Sequence, residues 1–475
     1  PLYSSAASDV YKRQEYIHMS KHLFTDIRVP IEPDNPSVMR HEELCIKCGQ
    51  CKTVCTESIG VAGYYDLLKT GDTAICIHCG QCANVCPVGC ITEVPEWERV
   101  KAAVNDPGKI VIFSTSPSVR VALGEEFGME EGSFVEGRMV ALLRALGGDY
   151  ILDTNFAADL TIMEEANELI RRLTSSNIPI PQLTSCCPAW VKFVETYYPE
   201  FKENLSTSKS PIGMQGPTIK TYFANQENLD PKKIVNVAVT PCTAKKFEIR
   251  REEMCSAGSM LGIEGMRDMD YVITTRELAQ WARAEGIDFF ALEPSGYDPF
   301  MGTGSGAGVI FGNTGGVMEA AVRTAYAVLT GEPVPDDLYD LKEVRGLSGT
   351  KEASLTIAGT RLDIAVVYGT ANARRLLDSI KRGEKFYQFI EVMTCPGGCI
   401  GGGGQPKDKN FSGDGLRQKR IDGLYARDRQ MKLRLSHENP QIKEIYKKFY
   451  EKPLSPLAEE MLHTSYIDRS GDLGN

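Results

Sequence analysis

No window of this chain approaches the apolar length that crossing a bilayer requires, and no charged, then apolar, then small-residue pattern opens it. Membrane insertion and export are not expected, and a cytoplasmic location follows. An excess of basic charge is missing as well: 53 Lys and Arg face 63 Asp and Glu, intermixed to a net charge of -10. Neither a nucleic-acid footprint nor a membrane-surface patch is indicated. A G-x-G-x-x-G dinucleotide fingerprint is also absent. Two glycine-rich segments, 302–308 (GTGSGAG) and 397–404 (GGCIGGGG), read instead as loops where backbone approaches something closely. Beyond one duplicated cysteine motif there is no internal repeat.

What the chain does have is size, apolar content and cysteine. Its 475 residues, 42% of them hydrophobic, suffice for a small domain plus a large one. Without an export signal, 15 cysteines point to metal rather than to disulfides. They fall in zones: Cys45 to Cys90, the pair Cys186 and Cys187, then Cys242, then Cys395 and Cys399, with Cys255 an outlier. Residues 1–40 are set apart as a leader; its first 18 residues resemble adapter read-through, with Met19 the expected start.

After a charged stretch at 95–107, residues 109–114 (KIVIFS) read as a buried strand. Strand then helix recurs at Tyr150–Asp153 with 160–173, at Tyr271–Thr274 with 276–284, and at 362–367 with 371–380. Further strands are expected at 234–239 and 389–392. Such alternation predicts α/β architecture with parallel sheets covered by helices. Cys242 and Cys395 each follow a strand, where open α/β sheets place their ligands.

Cys45, Cys48, Cys51 and Cys55 form one C-x2-C-x2-C-x3-C run, and Cys76, Cys79, Cys82 and Cys86 a second. This is the bacterial ferredoxin pattern, in which the fourth cysteine of each run serves the other cluster. One 4Fe-4S cluster would take Cys45, Cys48, Cys51 and Cys86, the other Cys76, Cys79, Cys82 and Cys55. Zinc fits poorly, since its sites space two C-x-x-C pairs more widely. Thr56 stands where proline is common in the first run, and Cys90 reads as a small buried residue rather than a ligand. Two clusters side by side form an electron relay, which implies a redox centre farther in.

The segments 184–190 (TSCCPAW), 241–248 (PCTAKKFE) and 391–406 (EVMTCPGGCIGGGGQP) resemble the three signature loops of FeFe hydrogenases, in order and behind a ferredoxin module. The resemblance covers nearly all of the chain from about residue 40. It implies a two-cluster ferredoxin-like domain at 41–97, a large two-lobed α/β catalytic domain at 108–406, and a small-subunit-like helical belt at 407–475. It also implies that Cys187, Cys242, Cys395 and Cys399 hold a third 4Fe-4S cluster, and that Cys399 bridges to a diiron unit carrying carbonyl, cyanide and azadithiolate ligands. Together these make the H-cluster. Soft thiolates suit the cubane, and a diiron unit held by one thiolate must be gripped by surrounding groups. By resemblance those are Lys245 and Ser118, facing cyanide ligands, and Met393, packed on the metal.

Adjacent cysteines diverge, so Cys186 is free of the cubane. The resemblance gives it proton exchange with the bridging amine and continues the path through Glu165, Ser206 and Glu168, with Arg172 near the exit. Glu165 and Glu168 share one helix face; a buried proton path needs such carboxyl and hydroxyl groups. Thr240, Ile212, Ser116 and Thr394 replace methionine, glutamine, alanine and alanine of the best-known members, which marks a divergent subgroup. The expected activity is the reversible conversion of hydrogen to protons and electrons, with a ferredoxin-like carrier as partner and maturation proteins supplying the diiron unit. Two rivals stay open: a hydrogen sensor with the same cofactor, and an iron-sulfur assembly relative lacking the diiron unit. Cys255 has no assigned role.

Overall fold

The computed structural model describes residues 27–175, 177–408 and 413–474. The expected start at Met19 lies outside them. In the N-terminal part, β1 (Val38–Arg40) pairs antiparallel with β2 (Ile91–Glu93), enclosing helices α1 (Gln50–Glu57) and α2 (Gln81–Asn84). Residues ahead of 41 thus pair with this unit. The N–H of Val29, a buried residue, points at the Cys51 sulfur at 3.4 Å, and Val29, Val38 and Ile91 share one small core with the cysteines. A unit this small has little apolar surface to bury, so it recruits flanking chain that carries no periodic signal.

The rest holds strands β3 (Ile110–Thr115), β4 (Tyr150–Asp153), β5 (Gln182–Leu183), β6 (Ile234–Thr240), β7 (Tyr271–Thr274), β8 (Thr350–Ile357), β9 (Thr360–Tyr368) and β10 (Phe389–Met393). They form two four-stranded sheets, in the orders β4-β3-β6-β7 and β5-β10-β9-β8. The first sheet is parallel throughout. Every residue of β6 is buried, as expected where helices cover both faces. Alternation along β3 divides its neighbours: Val111 and Phe113 pack with Trp281, while Ile112 packs with Leu152 and Phe156. Each such side chain contributes about 1.5–3 kcal/mol when fully buried.

The second sheet is mixed. β10 is parallel to β5 and β9, but β8 is antiparallel to β9. Ala358 and Gly359, at φ 49° and 78°, form the tight turn between them. Burial along β8 alternates, so its sequence lacks the continuous apolar run that marked the other strands.

Helix α3 (Thr154–Thr174) begins six residues before the expected start, with the Asp153 carboxylate accepting from the Asn155 N–H at 2.7 Å. It packs against α6 (Gly316–Thr330), and its Glu164, Glu165, Glu168 and Arg172 are all buried. The pair Glu165 and Glu168 is therefore no solvated helix face. The glycine-rich segment at 302–308 is not wholly a loop either. Ser305 accepts from the Gly308 N–H and caps helix α5 (Gly306–Ile310), which meets α7 (Asp414–Gln430) through Val309, Ile310, Ile421 and Leu424. Beyond α7 the chain continues over the first sheet, where Tyr450, Met461 and Leu462 are buried. Among the described residues no helix is long and apolar enough to cross a membrane.

Candidate metal centres and proton path

Three strand ends converge between the sheets. β6 leads into Pro241 and Cys242; β10 leads into Cys395 and Cys399; β5 leads into Cys186 and Cys187, and Cys187 caps helix α4 (Pro188–Tyr197). Parallel strands end on one side, so short loops from both sheets meet there.

Cys45, Cys48, Cys51 and Cys86 line one cavity, with Cys90 beside them. Cys55, Cys76, Cys79 and Cys82 line another. No three His, Cys, Asp or Glu side chains among the described residues converge on the position of a single metal ion. A set of four thiols suits a cubane, whose thiolates each bind a separate iron. Burial pushes the thiols of Cys79, Cys82 and Cys395 well up, and Cys242 up to about 12, with neighbouring thiolates adding to each. Crowded buried thiols cannot ionise together unless cationic metal offsets their charge. Cys45 differs: burial raises it, but the Lys47 N–H, the Cys90 thiol and Arg28 together pull it down. Cys90 is buried, as expected of a small core residue, and its thiol acts as a hydrogen-bond donor toward that of Cys45.

A separate cavity is lined by Cys186, Cys399, Ser118, Lys245 and Met393, and also by Ser116, Ile212 and Thr240. The Ser118 hydroxyl is buried and has no partner. Lys245 Nζ donates to Ser210 Oγ and to Glu248, each at 3.0 Å. Burial pulls its pKa down, but Glu248 and Cys242 outweigh that and raise it, so the ammonium is held charged. A free hydroxyl, a fixed ammonium and two thiols on the wall of one cavity fit a small anionic metal unit better than an organic substrate. Thr394 is not on this wall; its N–H and hydroxyl contact the Cys187 sulfur at 3.5 and 3.4 Å.

Glu165 lies one turn from Glu168 on α3. Burial raises its pKa strongly, and Glu168 and Glu391 raise it further; Ser206 and Arg172 lower it only in part. Neither of its carboxyl oxygens has a well-formed hydrogen bond. The nearby Ser206 hydroxyl donates instead to Glu168 at 2.7 Å, and Arg172 pairs with Glu168 at 2.7 Å. Burial, then Glu165, raises the Cys186 thiol. The structure thus groups Cys186 with Glu165, and Ser206 with Glu168 and Arg172. Arg172 is not exposed at an exit: it is 2% exposed and donates to the carbonyls of Pro179, Glu203 and Leu205.

Sequence reasoning passed over two residues. Glu391, buried and raised to about 7 by desolvation, accepts from the Gly315 and Met318 N–H groups at the start of α6. It stands inside the third signature segment, but nothing in its spacing separates it from an ordinary strand residue. Gln81, 2% exposed, sits between two ferredoxin-type cysteines and donates to Gly401 O at 2.9 Å. Only the folded chain brings those two segments together.

Comparison with known proteins bears on this arrangement. Residues 109–403 match the family model for the iron only hydrogenase large subunit, C-terminal domain; 414–469 match the iron hydrogenase small subunit, and 70–92 a 4Fe-4S binding domain. The chain is 45% identical to the NADP-reducing hydrogenase subunit HndD of Solidesulfovibrio fructosivorans, over 91% of this chain and 75% of that one. It is 43% identical to iron hydrogenase 1 of Clostridium pasteurianum, over 89% and 74%. A solved structure of the apo FeFe-hydrogenase HydA1 from Chlamydomonas reinhardtii superposes with a TM-score of 0.69 at 38% identity, covering 79% of this chain and all of that one.

Proposed function

The chain belongs to the iron-only hydrogenase family and is a hydrogenase, and we propose that it works through three thiolate-held 4Fe-4S clusters, the innermost joined to a diiron unit at Cys399. The outer clusters take Cys45, Cys48, Cys51 and Cys86, and Cys55, Cys76, Cys79 and Cys82. The inner one takes Cys187, Cys242, Cys395 and Cys399. The observation that carries this reading is the one cavity lined together by the unpartnered Ser118 hydroxyl, the Lys245 ammonium and the Cys399 thiol.

When bound, the diiron unit with its carbonyl, cyanide and azadithiolate ligands supplies the centre at which hydrogen is split or formed. The protein's part is to grip that unit, keep water out and move the proton. Lys245 and Ser118 hold it by hydrogen bonds, and Met393 packs against it. Cys186 exchanges the proton at its sulfur and passes it to Glu165. Because burial makes Glu165 a weaker acid than an exposed carboxyl, it holds a proton more readily and suits a group that gives and takes one. The path continues by Ser206 to Glu168, where Arg172 fixes the carboxylate. A rotation of the Ser206 hydroxyl from Glu168 toward Glu165 closes the gap between the two groups.

Electrons pass through the two outer clusters to a ferredoxin-like carrier, maturation proteins deliver the diiron unit, and the cytoplasm is the compartment that keeps this many thiols reduced. The test is infrared spectroscopy of the matured protein. Bands from bound carbonyl and cyanide are expected; iron present only as cubanes, with no such bands, would overturn the reading.

A further inference from the structure

The N-terminal unit and the third signature loop meet with almost no side chain between them. A Cβ on Gly403 would lie 2.3 Å from Cys79 O and 2.7 Å from Gly80 Cα, and one on Gly80 would lie 2.4 Å from Thr243 Oγ1. No real Cβ fits at such distances, so both positions must stay bare for the backbones to touch. The contact is clamped on every side. Gln81 Nε2 donates to Gly401 O at 2.9 Å, Asn84 Nδ2 to Gly402 O at 2.9 Å, and Thr243 Oγ1 to His78 O at 2.8 Å. Arg276 donates to Gly403 O at 2.6 Å and to Asn84 Oδ1 at 2.9 Å.

At this clamp Cys79 and Gly80 abut Gly403 and Thr243, the neighbour of Cys242, so the segment carrying Cys79 lies directly against the loops that carry Cys242, Cys395 and Cys399. Cys79 and Cys395 are assigned to different clusters above, and the inference rests on that assignment. We propose that Gly80, Gly403 and Gln81 form the electron junction of this enzyme, the bare glycine pair setting the spacing between its second and third clusters and the Gln81 amide holding the third loop against the second cluster's segment. One electron leaves the reduced cluster held by Cys55, Cys76, Cys79 and Cys82 and enters the oxidised cluster held by Cys187, Cys242, Cys395 and Cys399. No bond is made and no proton moves. Gln81 and the glycines are positioning residues; none touches the reacting hydrogen.

The test uses the matured full chain with Gln81→Met, which keeps the volume and removes the donor, and Gly403→Ala, which forces the backbones apart. Redox titration followed by electron paramagnetic resonance reads cluster potentials and the magnetic coupling between neighbouring clusters. Gln81→Met is expected to weaken the magnetic coupling between the second and third clusters, with all three clusters still loaded, and to slow dye-driven hydrogen evolution several-fold. Gly403→Ala is expected to weaken the same coupling further. An iron-replete Gln81→Met protein with unchanged coupling and rate overturns the junction while leaving the cluster assignment standing, even where Gly403→Ala fails to fold. A parent protein that shows no second cluster coupled to a third overturns the assignment and the junction together.

Discussion

Arg172 and Glu168, one helical turn apart on α3, meet at 2.7 Å with both side chains at most 3% exposed. The same guanidinium satisfies three backbone carbonyls, and the same carboxylate accepts from Ser206 and from the Thr207 N–H. Removing the arginine strips a buried carboxylate of its counter-charge, a loss of about 3–5 kcal/mol. Arg172→Met should therefore lower the unfolding free energy of the unmatured protein by that order in urea titration. A change below about 1 kcal/mol, the scale of a surface pair, would show that the pair is not sequestered as described.

Replacing Cys186 by alanine removes the sulfur proposed to carry the proton out of the cavity but none of the proposed cubane ligands. The variant should retain its iron and its cubane spectra and lose hydrogen turnover by about a hundredfold or more, the scale of a lost general acid–base group. Iron analysis alongside a viologen-linked assay separates the two effects. Turnover at the parent rate would show that the proton leaves by another route.

Glu165 ties stability to pH. Its folded-state pKa lies above its unfolded value because burial, Glu168 and Glu391 all disfavour the charge. In the window from the unfolded pKa of about 4.3 upward, the native state therefore holds more protons than the unfolded state. Stability contributed by this group is full below that window and is lost as pH rises toward the folded pKa. Glu165→Gln should flatten the decline of the unmatured protein's melting temperature between mildly acidic and neutral pH. Parallel curves for parent and variant would mean that Glu165 is hydrated rather than desolvated.

The elements that a single chain segment specifies were legible before the fold was known. β3, β6 and β10 are apolar runs, and the cysteine runs state their own spacing. What was not legible depends on partners far away in sequence. β8 alternates weakly and becomes a strand only against β9. The start of α3 is set by the Asp153 cap, which falls inside a strand pattern. Glu391 and Gln81 look ordinary until α6 or the third signature loop is laid against them. Ser118 and Lys245 were found through motif likeness, since a lone serine or lysine carries no periodic signal.

Ser118 offers a test in which stability and function move in opposite directions. Its hydroxyl is buried without a partner, and such a group costs about 1–3 kcal/mol in mutational series. Nothing in the protein alone repays that cost, so Ser118→Ala should leave the unmatured protein as stable as the parent or raise its melting temperature. In the matured enzyme the same change removes the proposed hydrogen bond to the diiron unit, and the cyanide stretching bands should shift while the carbonyl bands move less. If the variant were less stable before maturation and its infrared spectrum matched the parent's, the hydroxyl would be serving the protein fold and not the cofactor, because an acceptor inside the chain would then have to exist.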